Sequence, residues 1–140
     1  MGDIFQYSST VVYLGIGILS LVMAFKSLSA KKYLSFHEQA SGLAWDSIDE
    51  RLQLVIKALL RISGLGFLLV AVLLIALPLG MFWRPVLFLK YIVPVTALLF
   101  CAGLCIVNFD LYQKTKAATP WKKSLAVVVL IVVAIFLSGM

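Results

Sequence analysis

The chain has 140 residues, 63% of them hydrophobic and only 13% charged, where a soluble domain carries about a quarter charged residues. A mean hydropathy of +1.08 confines the polar residues to short connecting stretches, which excludes a sizeable water-soluble domain and predicts a single membrane domain over residues 1–140. The net charge of +6 gathers in those connectors, where it reads as a topology signal for an anionic membrane face and not as a nucleic-acid footprint.

Crossing about 30 Å of hydrocarbon takes roughly 20 apolar residues in a helix. Four stretches meet that need, at about 4–25, 48–79, 85–112 and 120–139, so the expected fold class is an all-α membrane protein with four transmembrane helices. The first stretch begins with Gln6, Ser8, Ser9 and Thr10 and then turns apolar. Its leading residues hold Asp3 and no Lys or Arg, and no small-residue cleavage site follows, so it is expected to remain in the mature chain.

The connector at about 26–47 mixes Tyr33, Leu34 and Phe36 with Lys31, Lys32, His37 and Glu38, a pattern for a short helix or turn in the headgroup layer. Ser47, Ile48, Asp49 and Glu50 have capping-box spacing, which predicts that the second helix starts near Ile48. That start is two-faced. Leu52, Val55, Ile56 and Leu59 share one side, and Glu50, Gln53, Lys57 and Arg61 recur at i, i+3, i+7 and i+11 along the other. The small residues Ser63, Gly64 and Gly66 beside Arg61 predict a close approach of another helix or a ligand.

Pro78, Gly80 and Pro85 bracket a tight outer turn from Leu79 to Arg84. In the third helix Pro94 removes a backbone hydrogen bond and predicts a kink. This helix ends in its own stripe, Cys101, Cys105, Asn108 and Tyr112, with Asp110 beside it. After the connector at about 113–119, Thr119, Pro120 and Trp121 read as N-cap, first helical position and interfacial anchor of the last helix.

Ten of the twelve basic residues lie between the apolar parts of the first and second stretches or of the third and fourth, leaving Arg84 and Lys90 on the other side. The positive-inside rule then places both connectors in the cytoplasm and both termini outside. Trp45 and Trp121 fall at the inner boundary and Trp83 at the outer.

His37, Ala40, Gly42 and Trp45, followed by Arg61 and by Ser63-Gly64-Leu65-Gly66, resemble an uncharacterised group of small bacterial four-helix membrane proteins. Thr119-Pro120-Trp121 is similar to the entry of that group's last helix. The resemblance implies a bacterial inner-membrane address, four helices and no particular chemistry, and it directs attention to His37, Trp45 and Arg61.

If the two polar stripes face each other, Lys57, Arg61, Asn108, Asp110 and Tyr112, with His37 and Trp45 above them, line a site at the cytoplasmic leaflet for an anionic headgroup or ligand. The alternative is that the two cations only snorkel to the interface. His37 is the one histidine, so bis-histidine haem and His-rich metal sites are excluded within one chain, and no second histidine follows at zinc-protease spacing. Cys101 and Cys105 read as packing thiols. No Asp or Glu lies in an apolar span, which disfavours proton-coupled export. A phosphate-cradling glycine loop and a nucleophile elbow are both missing. The expected role is therefore non-enzymatic binding or assembly, without metal or cofactor, with anionic lipids and a second copy or another membrane protein as partners. A cavity enzyme or carrier for an anionic amphiphile, and an oligomeric small-solute channel, are the alternatives.

Overall fold

The computed structural model describes residues 2–83 and 87–139, with side chains described from Tyr7 to Gly80 and from Tyr91 to Leu137. These residues form α1 (Gly2–Leu28), α2 (Ser35–Ser41), a 3-10 turn (Trp45–Ser47), α3 (Glu50–Trp83), α4 (Leu87–Thr115) and α5 (Trp121–Gly139). The protein is all-α, with several long apolar helices compatible with a membrane protein. Where four helices were expected, the described residues hold five, because residues 35–41 coil into a short helix of their own. Three stretches, Tyr7–Leu28, Glu50–Gly80 and Tyr91–Thr115, are long and apolar enough to cross a membrane. α5 has 19 residues and rises about 28 Å at 1.5 Å per residue.

The long helices form a ring in which α1 packs on α3 and α5, and α4 packs on α5 and more lightly on α3. Chain neighbours are thus spatial neighbours, as short connectors between antiparallel helices require. α1 presents a narrow face to α3. Ser9, Tyr13, Ile16, Gly17, Ser20, Ala24 and Ser27 are buried at helical spacing, and most are small, so the two backbones come close. A Cβ on Gly17 would lie 2.9 Å from Ile75 Cγ1, and one on Gly64 would lie 2.8 Å from Leu28 Cγ. Gly66 gives the same clearance to Phe100 of α4, 2.9 Å from where its Cβ would be. The small residues after Arg61 do admit neighbouring helices closely.

The core joins Tyr13 and Ile16 of α1, Val70, Leu74 and Leu77 of α3, Val93, Ala97 and Cys101 of α4, and Ile131 and Ala134 of α5. The outward faces are equally apolar: Leu99 is 69% exposed and Ile106 68%, with Leu69, Val72, Val129 and Phe136 exposed as well. A water-facing bundle would carry polar residues there, so this exposure fits hydrocarbon as the surrounding medium.

Helix ends differ from the expected ones for local reasons. α3 starts at Glu50, two residues after Ile48, because Asp49 is its cap: Asp49 Oδ1 accepts the Arg51 N–H at 2.9 Å. Ser47, the expected cap, donates its hydroxyl to the Ala44 carbonyl at 2.7 Å and closes the 3-10 turn. α3 also continues past Pro78 to Trp83, so Leu79 to Trp83 belongs to the helix and not to a turn, while Arg84 and Pro85 lie outside the described residues. Pro94 sits inside α4 and is fully buried. Thr119 caps nothing. Its hydroxyl donates to the Asn108 carbonyl at 2.8 Å, tying the start of α5 to α4.

Candidate functional site

The connector between α1 and α3 folds into a small apolar cap on the bundle. Tyr33, Ile48 and Leu60 are buried together, with Ala30, Trp45 and Ile56 packed around them. Tyr33 meets the Trp45 indole edge-on, with ring centroids 5.0 Å apart, and its hydroxyl donates to the Leu43 carbonyl. Gln53 Nε2 donates to the carbonyls of Trp45 at 3.0 Å and Ile48 at 3.1 Å, which fastens the 3-10 turn to the first turns of α3. Lys57 Nζ lies over the Trp45 ring, 5.5 Å from its centroid. Of the polar stripe, Gln53 and Lys57 face inward, toward the connector, while Glu50 is exposed; Leu52, Val55 and Leu59 face outward, and Ile56 from the apolar side packs inward. Arg61, one turn beyond Lys57, is exposed between the exposed Ile62 and Leu65, where its aliphatic stem can follow the apolar surface.

His37 sits on α2. Its Nδ1 accepts the Leu34 N–H at 3.3 Å, while the His37 N–H donates to the Leu34 carbonyl at 2.8 Å. That reciprocal pair closes the start of the short helix and needs an unprotonated Nδ1. The ring packs against Phe36 at a centroid distance of 4.0 Å, and burial holds its pKa below the usual 6.5. Gly42 ends α2 in the left-handed region (φ 67°), its N–H reaching the Glu38 carbonyl at 2.9 Å.

The α4 residues turn to other partners. Asn108 Nδ2 donates to the Leu104 carbonyl of its own helix at 2.9 Å, and Asp110 is paired with Lys114 at 2.7 Å on an exposed face. Tyr112 faces Trp121 at 6.0 Å between ring centroids, Phe109 meets the same indole edge-on at 5.2 Å, and Cys105 Sγ lies 3.8 Å from the Trp121 carbonyl. The stripe on α4 therefore meets the start of α5. The structure brings Trp45 and Lys57 together, and it brings Asn108 and Tyr112 to the α4–α5 corner, with no described contact from that corner to Lys57 or Arg61. The two corners are joined through α2, where Gln39 Oε1 accepts the Ala118 N–H at 3.4 Å.

Two groups stand outside the candidate site that the sequence marks. Tyr33 and Gln53 organise the connector, and only their spacing from Trp45 hinted at it. Lys116 and Lys122 stand 5.7 Å from the ring centroids of Tyr112 and Trp121 respectively, the first announced by its i+4 spacing from Tyr112 and the second by adjacency to Trp121. Among the described residues, no three His, Cys, Asp or Glu side chains converge as metal ligands would.

No protein-family model matches the chain, and no curated protein and no solved structure matches it either. The resemblance carried by His37, Ala40, Gly42 and Trp45 thus rests on those residues themselves.

Proposed function

We propose that this is a four-span protein of the bacterial inner membrane, with both termini outside, whose cationic end holds anionic lipid headgroups as a non-enzymatic binding or assembly component. The observation that carries the reading is the Gln39–Ala118 hydrogen bond, which gathers the two basic connectors at one end of the bundle. Nine of the ten cations there, all but Lys57, are exposed. Each Lys or Arg near an anionic leaflet contributes about 1 kcal/mol. Arg61 stands at the boundary: from Ile62 to Gly80, α3 rises about 28 Å, which matches about 30 Å of hydrocarbon.

The test is retention of phosphatidylglycerol over phosphatidylcholine by the purified full chain, read by native mass spectrometry. Wild type is expected to prefer the anionic lipid, and Arg61→Leu is expected to weaken that preference while leaving the helical circular dichroism intact. Equal retention of both lipids by wild type would overturn the reading.

A further inference from the structure

We infer that the α4–α5 corner, with Tyr112 and Trp121 as its floor and Lys116 and Lys122 on its two rings, is a specific site for the phosphodiester headgroup of an anionic membrane lipid. This rests on the proposed placement of the cationic end at a lipid surface and adds a defined binding position to it. Four observations converge there.

Both ammonium groups are held over aromatic faces, each 5.7 Å from a ring centroid. A lysine restrained in this way loses less rotamer freedom on taking up an oxyanion than one waving in water, and its outward N–H donors stay available. Lys116 is also the one described non-glycine residue with positive φ, at 57°. The left-handed region disfavours a lysine against glycine or asparagine, so the position keeps its charge at the expense of backbone ease. Asp110, the carboxylate on this part of α4, is already engaged by Lys114 at 2.7 Å, and no ion pair to either Lys116 or Lys122 is formed among the described residues.

The fourth observation distinguishes a lipid from a soluble phosphate. Below Trp121 on the same side of α5, Leu125 is 44% exposed and Val129 53%, an apolar track directly under the charged corner. A lipid presents the matching order, phosphate above and acyl chain below, with the indole and phenol at the level between them.

The experiment uses the full chain in mild detergent with equimolar phosphatidylglycerol and phosphatidylcholine, bound lipid being counted by native mass spectrometry. Lys116→Gly removes the ammonium and relaxes the left-handed residue, so folding is not the limiting factor, and Lys122→Gln removes the second charge. Each is expected to lower the anionic-to-zwitterionic ratio by roughly fivefold, with the thermal midpoint of Lys116→Gly no lower than wild type. A wild-type preference undiminished in the double variant overturns this site alone and leaves the broader reading standing. Absence of preference in wild type overturns both. Displacement of the bound lipid by soluble glycerol phosphate at millimolar concentration would assign the corner to a free phosphate compound and overturn the lipid assignment.

Discussion

Lys57 rests over the indole of Trp45, 5.5 Å from the ring centroid, and thereby joins the first helical turns of α3 to the connector that precedes them. The cation is spent on structure here, on the inward face of its helix. Lys57→Met is expected to cost about 0.5–1 kcal/mol, and Lys57→Arg to cost less. Trp45→Ala, which also opens the Tyr33 contact, is expected to cost about 3 kcal/mol. Thermal unfolding in detergent, followed by circular dichroism, measures all three.

Two glycines of α1 should respond with opposite sign. A Cβ on Gly17 would meet Ile75 at 2.9 Å, whereas one on Gly15 would meet nothing within 4 Å. Gly17→Val is expected to destabilise the α1–α3 pair by about 1–3 kcal/mol. Gly15→Ala is expected to raise stability by about 0.5–1 kcal/mol through backbone entropy. Equal effects would show that α1 and α3 do not approach at Gly17.

The start of α2 should be sensitive to pH. Burial lowers the His37 pKa in the folded chain, so the unfolded chain binds the proton more readily and stability falls as pH falls. Full stability holds above the unfolded value of 6.5 and is lost downward from there toward the lower folded value. Protonation also removes the Nδ1 lone pair that accepts the Leu34 N–H. Protection factors across residues 35–41, taken relative to the intrinsic exchange rate at each pH, should fall between pH 7 and pH 5, and His37→Gln should flatten that dependence.

Thr119 and Asn108 lock the last two helices at one point. Thr119→Val keeps the shape, removes the 2.8 Å hydrogen bond and leaves the Asn108 carbonyl without that donor. A loss of about 1 kcal/mol is expected, whereas a true helix cap would show it as fraying of α5 alone. Amide exchange at Ser124, whose N–H reaches the Pro120 carbonyl at 3.1 Å, separates the two outcomes.

Orientation is open to labelling. In a background with Cys101 and Cys105 replaced by alanine, a cysteine at Gln113, exposed near the end of α4, should resist a membrane-impermeant thiol reagent in intact cells and react after permeabilisation. Reaction in intact cells would reverse the proposed sidedness.

The helices were legible because length and apolarity alone decide what can cross a bilayer, and Gly64 and Gly66 were legible because small residues mark close approach. The facing of the polar stripe was not. Periodicity separates Leu52, Val55 and Leu59 from Gln53 and Lys57 but does not say which side the connector will cover; here the carbonyls and the indole of the connector draw in Gln53 and Lys57. The caps failed for another reason. Ser47 and Thr119 carry hydroxyls that can satisfy any nearby carbonyl, and periodicity says nothing about which carbonyl the fold will offer.

Gln39 and Ala118 stand 79 positions apart along the chain. During synthesis, Tyr33, Trp45, Ile48 and Leu60 can assemble as soon as the beginning of α3 has emerged, since they are near one another in sequence. The strap formed by α2 has no such freedom. It docks only once α4 and the connector after it have been made, so its closure follows the third long helix and not the first pair.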